Sequence, residues 1–288
     1  MTIDGFVRAS GTEVSVQAVK AYLANNNIEK IVLVPDYQTL KSGKIIPYKG
    51  EDKPHKDLLF KFTKRISKKH NTKKTAKVIT NGNFYLKELH SMLPANILPF
   101  PGINTNVPNF LNAIEKEYSL WQFAGLHLPN HLNKTDLITS EMYDFYRWVS
   151  EHKLHLIIHL NSTNDIYAIQ KIIRDFKSVT FIIQHMIGLE KFDPCMAGIH
   201  NLYFDISPLH AISDHRLKMA ITQFTPRSLV YGSSTPYGSH NLNEHKERIR
   251  KLVRDEYELN LIMGENWNRI LSQKKKQKAS LLIEENIG

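Results

Sequence analysis

A single cysteine, Cys195, in 288 residues leaves no internal disulfide to be made. That absence fits a reducing compartment, and a cytoplasmic protein is the plain expectation. Cys195 itself reads as a packed thiol without a catalytic role. No apolar run approaches the ~20 residues of a membrane helix, and the opening MTIDGFVRAS lacks the basic-then-apolar layout of a secretory signal. Missing motifs narrow the chemistry. There is no His-Glu-x-x-His, no Cys-x-x-Cys and no Walker phosphate loop. No glycine-rich fingerprint follows the first strand, which argues against a doubly wound dinucleotide fold. Gly232-Ser-Ser-Thr-Pro236 departs from the Gly-x-Ser-x-Gly of a nucleophile elbow.

Acidic residues are the scarcer charge. Lys and Arg number 38 against 28 Asp and Glu, a formal net charge of +10. Much of the excess lies in Lys61–Lys74 and Lys274–Lys278. Neither run is interleaved with aromatics or tied to a nucleic-acid motif, so both read first as solvated surface. Nucleic acid is the weakest of the partner classes, and a membrane is not expected.

What is present is a repeated alternation. Short apolar runs begin near Ile3, Lys30, Ile97, Phe123, His155, Val179, Leu202 and Leu229. From the third onward the starts lie 23 to 32 residues apart, the spacing of a strand, a crossover helix and two short loops. Helices are predicted over 107–117, 140–152 (with Thr139 or Ser140 as N-cap), 164–176 and 243–253. Eight such units predict an α/β fold, a distorted (β/α)8 barrel. Its irregular part is an extended segment between strands 2 and 3, from Asp36 to Asn96: a loop over the mouth, a basic helix near 57–69, a short apolar run Val78–Thr80 and a helix from about Phe84. One domain spans 1–272, and 273–288 reads as a basic C-terminal extension.

Three of the runs end in histidine: His127 in AGLHLP, His159 in LHLIIHLN and His185 in VTFIIQHM. Strand ends converge where barrels bind ligands, and three convergent imidazoles suffice for one zinc-like ion. Each could instead hydrogen-bond a loop carbonyl.

The order of segments resembles the amidohydrolase superfamily, in the amidohydrolase-related branch that includes aminocarboxymuconate-semialdehyde decarboxylase-like proteins. The resemblance is carried by Ile3-Asp4-Gly5-Phe6-Val7-Arg8, Gly125-Leu126-His127-Leu128-Pro129, Leu156-Ile-Ile-His159 and Ile182-Ile-Gln-His185-Met-Ile-Gly188. It continues through Tyr203-Phe-Asp-Ile-Ser207, Val230-Tyr-Gly-Ser-Ser-Thr-Pro236 and Met263-Gly-Glu-Asn266. It implies a distorted barrel with a metal site at the C-terminal strand ends. The family's first-strand His-x-His pair is replaced here by Phe6 and Arg8, its last-strand aspartate by Ser234, and its fourth-strand lysine by His127. Arg8 exchanges a metal ligand for a cation that attracts carboxylate or phosphate.

The resulting expectation is a metal-dependent hydrolase or decarboxylase of a small anionic substrate. It would use one divalent metal, zinc by donor type, on His127, His159 and His185. Asp205, His185 and Ser234 are the catalytic candidates, and Arg8, Phe6 and Asn161 the substrate-binding ones. Asp205 has the alternative role of a buried acceptor for backbone N–H groups, and Ser234 that of a turn residue. The rival reading is a catalytically inactive barrel, a pseudoenzyme that binds a small molecule or a protein. Tyr143, Tyr146 and Trp148 offer aromatic material for a homodimer or for helix-to-barrel packing.

Overall fold

The computed structural model describes residues 2–9, 15–37, 46, 48–69, 72–238 and 241–272. Eight strands alternate with helices along it. In chain order these are β1 (Ile3–Ala9), α1 (Val16–Asn26), β2 (Lys30–Pro35), α2 (Leu58–Lys69), α3 (Thr72–Met92), β3 (Ile97–Pro99), α4 (Phe110–Leu120) and β4 (Gly125–Leu128). Then follow α5 (Asn130–Asn133), α6 (Ser140–Glu151), β5 (His155–Ile158), α7 (Thr163–Asp175), β6 (Thr180–Ile183), β7 (Leu202–Asp205), α8 (Asp214–Phe224), β8 (Leu229–Val230), α9 (Leu242–Arg250) and α10 (Glu256–Asn260).

The strands pair in parallel as β1–β2–β3 and β4–β5–β6–β7–β8. Backbone hydrogen bonds cross both seams. His127 N–H donates to Pro101 O at 2.9 Å and Ile103 N–H to His127 O at 2.9 Å, joining β3 to β4. Gly5 N–H donates to Tyr231 O, Ser234 N–H to Phe6 O and Arg8 N–H to Thr235 O, each at 2.9 Å, joining β8 to β1. The architecture is the expected (β/α)8 barrel.

Strand alternation sorts the side chains into two cores. Phe6, Val32, Val34, Ile157, Ile182, Tyr203 and Val230 fill the barrel with Trp267. Their neighbours Val7, Leu33, Ile158, Ile183 and Phe204 face the helical shell. On β1 the pairing with β2 shifts register between Asp4 and Val7. This bulge changes which residues face inward: Ile3 belongs to the interior cluster, and after the shift so does Phe6. Gly5 is required here, because a Cβ would stand 1.8 Å from Trp267 Nε1 and 2.5 Å from Tyr231 O.

The predicted helices form within a few residues of the expected bounds. Thr139 caps α6, accepting from Met142 N–H at 3.3 Å. Two expectations are corrected. Val78–Thr80 is no separate apolar segment but lies inside α3, whose buried Ile79, Leu86 and Leu89 recur at helical spacing. Cys195 is exposed rather than packed, since it sits on a short surface turn where its N–H bonds Asp193 Oδ1 at 2.9 Å. Tyr146 and Trp148 are buried in ring contacts with Phe181 and with Tyr118, so they pack inside this chain. Part of the expected mouth loop (38–45 and 47), and the basic segment beyond Ser272, lie outside the described residues. No helix among the described residues is long and apolar enough to cross a membrane.

Candidate functional site at the barrel mouth

The C-terminal strand ends carry a buried polar cluster. His127 lies in β4, His159 one residue past β5, His185 two past β6, and Asp205 closes β7. Arg8, His127, His159, His185 and Asp205 are all buried. The rings of His159 and His185 stand 5.3 Å apart, edge to face, and Phe6 packs edge-on against both His127 (5.8 Å) and His185 (5.4 Å).

Gln184 enters this cluster unannounced by the strand-end histidines. Interior positions on β6 run through Ile182, and two residues on, the inward position is Gln184. His185, at φ +62°, belongs to the turn that follows. The Gln184 amide is 2.8 Å from His127 Nε2 through its Oε1 and 2.8 Å from His185 Nε2 through its Nε2. The other nitrogen of His127 receives the Tyr37 hydroxyl at 2.7 Å. The other nitrogen of His185 lies 3.1 Å from Ser207 Oγ and 3.4 Å from Asp205 Oδ2. Asp205 accepts from the Ser207 hydroxyl at 2.6 Å and from the N–H groups of His185 and Ser207, each at 3.1 Å. It is the backbone acceptor that its position allowed for.

Burial sets the protonation states. It holds His127, His131, His159 and His185 well below the ordinary imidazole value, and the Arg8 cation works in the same direction. Burial pushes Asp205 up to about 7, against the hydrogen bonds from Ser207 and His185 that favour the carboxylate.

A small cavity opens on the cluster. Its walls are Arg8, His131, His159, His185, Ile46 and Tyr237, and the residues Leu59, Phe62, Thr63 and Ile66 of α2 roof it. Its volume is about 20 Å³, room for about one water. The Arg8 guanidinium lies 5.0 Å from the Phe6 ring centre and 5.8 Å from that of Tyr237. Its Nε and Nη1 are buried without a hydrogen-bond partner. His131 in α5 stacks on His159 at 3.9 Å, and its Nδ1 is likewise buried and unpartnered. His131 had no periodic signal, because it sits in a single helical turn after β4.

The remaining candidates fall elsewhere. Ser234 is buried at φ +59° in the turn after β8, outside the residues that line the cavity. Asn161 lies in a separate outer cleft with Lys134 and Asp165, and its N–H donates to Asp165 Oδ2 at 2.9 Å.

The imidazoles as placed do not fit a shared metal ion. Three nitrogens must present free lone pairs to one point. Both His127 nitrogens are engaged, and the two nitrogens that would face the ion are held at opposite ends of one amide. Among the described residues no three His, Cys, Asp or Glu side chains are grouped to hold a metal.

No family model matches the sequence, and no curated protein matches it. Solved structures do share the fold. One is a "probable 2-pyrone-4,6-dicarboxylic acid hydrolase" from Acinetobacter baumannii with citric acid bound: 14% identity over 94% of this chain and 99% of that one, TM-score 0.61. Another is 5-carboxyvanillate decarboxylase from Sphingomonas paucimobilis: 12% identity over 94% and 98%, TM-score 0.61. A third is 2,6-dihydroxybenzoate decarboxylase from Rhizobium: 10% identity over 95% and 99%, TM-score 0.62. The fold therefore defines the class: a (β/α)8 barrel, similar in architecture to these hydrolase and decarboxylase structures. Identities this low carry the architecture and not the chemistry.

Proposed function

We propose that the barrel mouth binds a small carboxylate-bearing molecule through Arg8, making this chain an anion-binding barrel of amidohydrolase type. One observation carries the reading: the Arg8 guanidinium is buried with Nε and Nη1 unpartnered. A buried cation whose donors stay open costs several kcal/mol, so the site is built for an anion; Asp205 lies within its electrostatic reach but fills neither Nε nor Nη1. The surrounding imidazoles are held neutral by burial and supply no countercharge. Nε and Nη1 lie on different edges of the guanidinium and each offers an N–H donor to an anion, and Phe6 and Tyr237 flank the guanidinium. His131 Nδ1 is a second open position on the same cavity, suited to a ligand hydroxyl. The three similar structures are named for carboxylate substrates, and one holds citric acid.

The cavity, about 20 Å³, admits a carboxylate only if the roof formed by α2 shifts. Leu59, Phe62 and Ile66 would then cover the ligand's apolar part. If the bound molecule is turned over, the group with an open nitrogen beside it is His131, while His185 is held by Gln184 and Ser207. No hydrolytic or decarboxylating step through a divalent ion is assigned to these residues, because their donors do not converge.

Calorimetric titration with citrate and 2,6-dihydroxybenzoate tests the reading. Saturable binding by at least one of them is expected, lost in Arg8→Leu and weakened in Arg8→Lys. Equal binding by wild type and Arg8→Leu, or no binding of either acid, would sink it.

A further inference from the structure

From Tyr37 to Asp205 the buried polar groups form one continuous chain in which each member donates to the next. The Tyr37 hydroxyl donates to His127 Nδ1 at 2.7 Å. That leaves the His127 proton on Nε2, which donates to Gln184 Oε1 at 2.8 Å. The same amide donates from its Nε2 to His185 Nε2 at 2.8 Å. The His185 proton is thereby placed on Nδ1, which donates to Ser207 Oγ at 3.1 Å. The Ser207 hydroxyl donates to Asp205 Oδ2 at 2.6 Å. The chain crosses the barrel interior from the end of β2 through β4 and β6 to β7. All its dipoles point the same way, so its members polarise one another in low dielectric. Both imidazoles are neutral and each has its two nitrogens filled.

We infer that this chain, with the Gln184 amide at its centre and the Arg8 cation beside it, stands in place of a metal ion and makes the strand-end histidines a metal-independent scaffold. A divalent ion on His127 and His185 would have to expel the amide from both Nε2 positions. It would also sit in the field of Arg8, which acts on His127, His159 and His185 alike. Gln184 thus does for the ring orientations what coordination does in a metal centre: it fixes tautomer and rotamer from the nitrogens an ion would take. Metal exclusion by the amide does not depend on ligand binding at Arg8, and the two are measured separately.

The full chain, expressed with zinc and manganese in the medium and dialysed, is assayed for metal by mass spectrometry. Well under about 0.1 ion per chain is expected, against about one for an occupied three-imidazole site. Nitrogen-15 spectra of the imidazoles should report His127 protonated on Nε2 and His185 on Nδ1, unmoved by zinc chloride or chelator. About one ion per chain, or imidazole resonances that shift with zinc at stoichiometric concentration, overturns the inference. In Gln184→Glu a carboxylate of the same size replaces the amide, and zinc affinity should rise by on the order of tenfold or more. Unchanged zinc affinity in a folded Gln184→Glu protein would also overturn it. The wild-type metal content and spectra decide the matter should that variant fail to fold.

Discussion

Phe6 and Arg8 stand two apart on β1, and the Arg8 guanidinium carbon lies 5.0 Å from the Phe6 ring centre. The ring is the interior wall and the cation is its neighbour at the mouth. The register shift between Asp4 and Val7 is what turns both inward. An apolar wall beside a buried cation with Nε and Nη1 open is a costly arrangement without a ligand.

Arg8→Met should therefore stabilise the ligand-free protein, by about 1–3 kcal/mol, since replacing a buried charge with an apolar side chain of similar size is commonly favourable. Urea melts measure this. A variant less stable than wild type would mean that the guanidinium is satisfied where it lies.

Acid should destabilise the fold. His127, His131, His159, His185, His210 and His245 are all held below the ordinary imidazole value by burial. Below pH about 6.5 the unfolded chain takes up protons at these positions and the folded one does not, so stability falls as pH drops. Asp4, Asp57 and Asp205 are raised by burial and act oppositely: above their unfolded value each favours the unfolded chain, and acid relieves this. The imidazoles outnumber these carboxylates, so the melting temperature should fall between pH 7.5 and 5.5. Calorimetry showing a flat or rising profile over that range would contradict the buried-neutral assignment.

Asp57 holds the roof of the mouth to the barrel. It starts α2, accepting the Phe60 N–H at 2.9 Å. It also accepts the Gly188 N–H at 2.9 Å and pairs with buried Arg216 at 3.2 Å. Burial raises its pKa and Arg216 opposes this. Asp57→Ala leaves Arg216 with Glu190 (2.5 Å) and frees the roof. A loss of about 3 kcal/mol in denaturant melts is expected, with faster hydrogen exchange in α2 than in the helices behind it. A loss under about 1 kcal/mol would mean that the roof is anchored elsewhere.

The eight strands were legible because each is a short buried run and the crossovers impose a regular spacing. The predicted starts at Ile3, Lys30, Ile97, His155, Leu202 and Leu229 coincide with the observed ones. The convergence of His159 and His185 was legible for the same reason, since strand ends in a barrel share one face. The Asn266 amide donates to Pro226 O at 2.8 Å and Leu229 O at 2.6 Å, tying the last helical segment to β8. Gln184 was within reach of parity counting: two residues after inward Ile182 the inward position is the glutamine. Reading the run by its terminal histidine passed over it. His131 was legible only as a polar residue after a strand end that could line the mouth, because a one-turn helix has no periodicity to read.

The order and type of elements and the strand-end placement of the histidines follow from the sequence by itself, since they depend on local pattern and spacing. What fills each imidazole nitrogen was decided in three dimensions. The partners of His127 lie 90 and 57 residues away in Tyr37 and Gln184, and only closure of the barrel brings them within hydrogen-bonding distance. Lone pairs are assigned by such neighbours, and here His127 and His185 face the Gln184 amide while His159 meets Thr63 and the Leu160 carbonyl.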